Sequence, residues 1–174
     1  MTNFKLLTPL FLFFLLILSA SSSLNDANLI QQTCKHTPNQ ALCLQYLKSD
    51  PRSSDADISG LGLIMVDAMK AKANQALAKI HRELQRKSLS DSEKQALSSC
   101  AEQYRAVLVA DVPEAIAALQ KGDPKFAEDG ANDAALEANS CESGFSYGKS
   151  PLTQENHALH DIAQVTAAIV RNLL

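Results

Sequence analysis

The stretch SDSEKQALSSCAEQYRAVLVADVPEAIAALQKGDP, residues 90–124, decides the fold. Ser90-Asp91-Ser92-Glu93 has the S-x-x-E pattern, in which a serine hydroxyl and a glutamate satisfy each other's open backbone donors, so a helix starts there. Leu97, Ala101, Tyr104, Leu108, Ala115 and Leu119 recur at helical spacing and form its inner face. Pro113 falls inside this pattern and predicts a kink, because proline lacks the N–H that the preceding turn expects. Gly122 is the stop, Asp123 the next N-cap and Pro124 the first residue of the next helix. A long helix that ends and restarts within three residues must fold back on itself.

The rest of the chain repeats this grammar. Two short helices are expected near Ala27–Cys34 and Asn39–Lys48, punctuated by Pro38 and Pro51. Ser53-Ser54-Asp55 offers N-caps for a long helix to about Arg86, with Ile58, Leu61, Met65, Ala68, Leu77, Ile80 and Leu84 as its stripe. Gly60 and Gly62 weaken its start. After Pro124, Ala127, Ala131, Ala134, Ala135, Ala138 and Cys141 line a third helix that contains Gly130. Residues 144–150 read as a loop. Ser150-Pro151 repeats the cap-then-proline start, and Leu159, Ile162, Val165 or Thr166, and Ile169 face inward from a last helix to about Asn172. No strand-like alternation and no internal repeat occur. The fold class expected is all-α, an up-and-down four-helix bundle over residues 54–174 with an N-terminal helical hairpin over residues 24–53.

The beginning of the chain is a different object. Lys5 precedes an apolar run from Leu6 to Leu18, and the small residues Ser19 to Ser23 follow. Residues 1–23 are therefore expected to be a secretory signal peptide cleaved between positions 20 and 24, too short to span a bilayer. No second long apolar run follows, so no membrane segment is expected after its removal. Removing Lys5 from 16 basic and 19 acidic residues leaves a net charge of −4, which disfavours a nucleic-acid binder. Only Tyr46, Tyr104, Phe126, Phe145 and Tyr147 then remain as aromatics.

Four cysteines behind a signal peptide, Cys34, Cys43, Cys100 and Cys141, read as two disulfides. Three pairings are possible. Pro38-Asn39 is a turn signal between the first two, which favours Cys34–Cys43 and Cys100–Cys141. A zinc site would want shorter Cys or His spacings than occur. His157 and His160 are three residues apart on one helix face, but no Glu-x-x-His motif accompanies them. Acid pairs such as Glu128/Asp129 suit a solvated helix face. With no catalytic motif and no free thiol, the chain is not expected to be an enzyme, and nothing in it asks for a metal or cofactor.

One position breaks a local rule. Lys125 stands in the first turn of its helix, where the positive end of the macrodipole disfavours a cation, and Phe126 follows it. Two readings stay open on residue types alone. The ring tucks under the corner and the lysine is simply solvated, or a cation and an aromatic are presented together on a rigid turn, as interface anchors are.

Cys34-(eight residues)-Cys43, Cys100-Ala-Glu-Gln-Tyr104, Gly122-Asp-Pro-Lys-Phe-Ala-Glu-Asp-Gly130 and Glu137-Ala-Asn-Ser-Cys141-Glu142 together resemble the plant invertase and pectin methylesterase inhibitor family. Pro124-Lys125-Phe126 is similar to the P-K-F segment of its invertase inhibitor branch. The resemblance implies a four-helix bundle with a helical hairpin and two sequential disulfides. It also implies a partner, an acid invertase of cell-wall or vacuolar type, with the cell-wall type preferred, and a secreted, apoplastic address. On that basis Lys125 and Phe126 are expected to enter the cleft where sucrose binds, with Pro124 fixing the entry angle. Ionised Asp123, Glu128 and Asp129 would then repel an acidic cleft, which predicts pH-dependent binding. A pectin methylesterase inhibitor on the same scaffold is the alternative.

Overall fold

The computed structural model describes residues 28–145 and 150–174. The signal segment and the tip of the loop before the last helix lie outside the described residues. Helix α1 covers residues 28–35, and α2 is Gln40–Ser49, capped by the Asn39 side chain. The bond Cys34–Cys43, with Cα atoms 5.5 Å apart, clips these two together across the Pro38-Asn39 turn. Then come α3 (Ile58–Leu84), α4 (Asp91–Ala106), α5 (Val112–Lys121), α6 (Pro124–Ser143) and α7 (Thr153–Arg171). No strand occurs among the described residues.

The helices α3, α4–α5, α6 and α7 pack in a ring, each against the next and α7 back against α3. This is the up-and-down bundle expected from the short connections. Its core is Ala-rich on one side. Ala127, Ala131, Ala134, Ala135, Ala138 and Cys141 of α6 are all buried, so that helix lies close to its neighbours. Leu61, Met65, Met69, Ile80, Leu97, Leu159, Ile162 and Ile169 fill the wider spaces. The bond Cys100–Cys141, Cα atoms 4.7 Å apart, ties α4 to α6. Beside it the Tyr104 hydroxyl donates to Asn156 Oδ1 at 2.7 Å, and Asn156 and Thr153 in turn donate to Glu142. A polar network inside a bundle stands only when its members satisfy one another, and here it joins α4, α6 and α7.

Several local expectations are corrected. Ser53-Ser54-Asp55 does not cap the long helix. Asp50 caps a 3₁₀ turn, Pro51–Asp55, and Asp57 caps α3 through Gly60 N–H. One short 3₁₀ turn that starts at a proline, followed by the extended residues Ala56 and Asp57, thus replaces the first turn of a longer helix. Within α3, Ile58, Ala68, Leu77 and Leu84 sit at the margin of the core, and Ile64, Met69, Ala73 and Ala76 are buried instead. Leu108 is likewise marginal, and its neighbour Val107 takes the inner position. Val165 and Thr166 are both buried, the threonine hydroxyl donating to the Ile162 carbonyl. Ser150 and Pro151 form a turn ahead of α7, with Ser150 Oγ accepting from Leu152 N–H, and α7 starts at Thr153.

The irregularity at Pro113 takes the form of a π turn, Val107–Asp111, between α4 and α5. Val112 N–H donates to the Val107 carbonyl five residues back. One extra residue in the turn accommodates the proline that a regular ladder would exclude.

Candidate functional site

The corner between α5 and α6 is built by Gly122. It takes the left-handed conformation, φ 75°, which costs a residue with a side chain energy and glycine little. Asp123 N–H then reaches back to the Ala118 carbonyl at 2.9 Å and Gly122 N–H to that of Leu119. These two bonds form the Schellman end of α5 and fix the direction in which the chain leaves it. Pro124 takes the first position of α6, as expected, but the Asp123 side chain makes no capping bond. The start of α6 is therefore open, with no acid in its first turn.

Two features of this open turn answer the question that residue types left unresolved. Phe126 is not tucked beneath the corner: it is 52% exposed, one of five large hydrophobic side chains so placed among the described residues. Lys125 is exposed but not simply solvated. Its Nζ lies 2.8 Å from Asp129 Oδ1 and 3.4 Å from Glu128 Oε2. The Asp129 carboxylate raises the lysine's pKa above its ordinary value, with Glu128 adding to the effect, so the ammonium is kept charged.

Glu128 is buried, and its carboxylate stands between two cations. Arg171, at the end of α7, donates from Nε at 2.8 Å and from Nη2 at 2.6 Å to Oε1, and Lys125 lies nearest Oε2. The guanidinium holds the Glu128 pKa below the ordinary glutamate value. Glu128, one of the acids expected to relieve repulsion by protonation, is thus held ionised to lower pH than an ordinary glutamate. Arg171 was not singled out in the sequence. The signal that finds it is tertiary, since 43 residues separate it from Glu128.

Beside the corner runs a groove of about 170 Å³, lined by Ser59, Leu119, Gly122, Asp123, Pro124 and Leu173. His157 and His160 lie on α7; His160 Nδ1 is 3.3 Å from Asp161 Oδ1, and no His, Cys, Asp and Glu grouping able to hold a metal occurs among the described residues. Asp111, on the π turn, is a second acid away from water. It is 8% exposed and its Oδ2 has no partner. Burial pushes its pKa to about 6, with Asp133, Glu137 and Glu114 adding to the rise.

A helical bundle with two sequential disulfides and a half-exposed Lys-Phe corner defines a binding scaffold. Residues 28–169 match the family model "Plant invertase/pectin methylesterase inhibitor", and the chain belongs to that family, whose members are inhibitors and not enzymes. It is 45% identical over 145 residues to the "Cell wall / vacuolar inhibitor of fructosidase 1" of Arabidopsis thaliana, covering 83% of this chain and 69% of that protein. It is 32% identical to a "Pectinesterase inhibitor" of Actinidia deliciosa, covering 86% of this chain and 80% of the other. Among solved structures, a mutant form of a pectin methylesterase inhibitor from Arabidopsis superposes with a TM-score of 0.69 over 79% of this chain and 92% of that one, at 20% identity. That last likeness is one of fold. No described helix is long and apolar enough to cross a membrane.

Proposed function

We propose that this protein inhibits a plant acid invertase, a β-fructofuranosidase, by placing Pro124-Lys125-Phe126 in the cleft that binds sucrose. The observation that carries the reading is the exposure of the Phe126 ring beside a charged Lys125 on a corner fixed by Gly122. The 45% identity to an inhibitor of fructosidase supports the choice of target.

The chemistry is complementary. A retaining glycosidase carries two carboxylates about 5 Å apart in a sugar-sized cleft. An ammonium entering that cleft exchanges Asp129 for a carboxylate of the enzyme. A phenyl ring one methylene from the backbone fills the apolar part of a sugar subsite and removes its own exposed surface from water. Inhibition is then competitive and non-covalent. We further propose that residues 1–23 are removed on secretion, that residues 24–53 extend an inhibitor domain completed by residues 54–174, and that the protein acts in the cell wall, with the vacuole as the other address consistent with its relatives' names.

The test is inhibition of purified cell-wall and vacuolar invertases at acid pH by the wild type and by the double variant Lys125→Ala/Phe126→Ala. Loss of inhibition with an unchanged helical spectrum and Tm is expected. Full inhibition by the double variant removes the assignment. Inhibition of pectin methylesterase in place of invertase would favour the other target class, to which the 32% identical relative belongs by name.

A further inference from the structure

We infer that Arg171 and Glu128 are positioning residues: the ion pair between them sets the rotation of the first turns of α6 and so aims Phe126 outward. The inference rests on the proposed entry of the Lys-Phe corner into the invertase cleft. It starts from a deficit. The first turn of α6 carries a cation at the positive end of the helix, no acid, and an N-cap residue that makes no side-chain bond. The Schellman bonds at Gly122 fix where this turn begins, but its own cap residue and first-turn charge add nothing to hold it, although it bears both residues of the motif.

What holds it lies one turn further on and comes from another helix. Arg171 reaches across from the last turn of α7 and puts two N–H groups on one oxygen of Glu128. Two donors on one acceptor fix direction as well as distance. Glu128 is 7% exposed, so its side chain is committed to the α7 side. Successive helical residues are about 100° apart, so Phe126, two positions earlier, lies about 200° around the helix from Glu128. Pinning the glutamate inward turns the phenylalanine outward, which agrees with its exposure. Lys125, three positions before Glu128, sits over the same carboxylate on its free side. The Glu128 carboxylate thus faces away from Phe126 and, behind the nearer Asp129, helps to hold Lys125.

The experiment compares Arg171→Met, Arg171→Lys and Phe126→Ala, with Glu128→Gln as a second way to break the pair. Readouts are the inhibition constant against acid invertase, Tm, and amide exchange of residues 124–130. Arg171→Met is expected to weaken inhibition about tenfold or more, because a misaimed anchor loses much of its contact. Exchange in residues 124–130 should speed up while that of α3 stays the same. Arg171→Lys should recover part of the loss. A double-mutant cycle separates positioning from direct contact: if Arg171 acts through the ring, Arg171→Met adds nothing to Phe126→Ala. Additive losses, or unchanged inhibition and exchange in Arg171→Met, overturn the inference. If Lys125→Ala/Phe126→Ala still inhibits, the corner reading fails, and the exchange data alone then decide whether the clamp exists.

Discussion

Gly130 of α6 lies so close to the main chain at Asp111 that a Cβ atom added to it would stand 2.7 Å from the Asp111 carbonyl oxygen. The π turn and the glycine are two halves of one contact. The turn pushes its backbone outward at Val107–Asp111, and the missing side chain on α6 receives it. Read along the helix alone, Gly130 merely weakens α6; across the bundle it allows the helices to meet.

Gly130→Ala should therefore destabilise by about 1–3 kcal/mol, the range for overpacking against unyielding backbone. Gly122→Ala has nothing within 4 Å of its new methyl and meets only its own φ of 75°. It should cost about 1 kcal/mol, the left-handed penalty alone. Urea unfolding of both variants checks the order, which reverses if packing at the π turn is loose.

Stability should rise as the solution is acidified from neutral to about pH 4. Asp111 has its pKa raised to about 6 in the folded protein by burial first and by Asp133, Glu137 and Glu114 after it. The same burial, with Asp133 adding, raises Glu137. A raised carboxyl binds its proton more tightly folded than unfolded. Its cost is absent at low pH, where both states are protonated, and appears as the pH rises from about 4 through 6. With allowance for partial solvation, Asp111 accounts for about 1–2 kcal/mol. Calorimetry at pH 4.5 and 7 should show a higher Tm at the lower pH. Asp111→Asn should lose most of that difference, and an equal difference in the variant would contradict the assignment.

Tyr104→Phe should lower stability by about 1–3 kcal/mol, since it leaves Asn156 Oδ1 without its buried donor. Inhibition should be unaffected once the variant is folded, because the network lies at the Cys100–Cys141 end and away from the corner. A chemical-denaturation midpoint and an inhibition assay on the same sample separate the two effects.

Removing Cys100–Cys141 by paired alanine substitution should cost about 2–5 kcal/mol, because the bond closes the longer loop and joins two bundle helices. Paired substitution at Cys34 and Cys43 should loosen the N-terminal hairpin first, leaving the bundle folded with protected amides in α3 to α7. Equal global unfolding by both pairs would show that the hairpin is an integral part of the bundle's stability.

Much of this protein is local in origin and so is legible in the chain. Ser90 and Glu93 form their capping box with partners three residues away, as the S-x-x-E pattern predicts. Gly122 and Pro124 end one helix and begin the next through backbone preferences each residue carries anywhere. The alanine stripe of α6 follows from its period, and the pairing of the four cysteines is the one that the Pro38-Asn39 turn favours and the family resemblance implies. What failed was local in appearance and tertiary in cause. Asp123 has the residue type of an N-cap but not the bond, because Gly122 and Ala118 already fix the backbone there. Ala68 and Leu77 have the period of the core, but the helices packed on α3 cover Met69, Ala73 and Ala76 instead. The sequence by itself determined where the Lys-Phe corner lies and that it breaks the rule of its helix. Only the tertiary structure decided which way Phe126 points, because that direction is set by Arg171, which meets Glu128 only when α7 packs on α6.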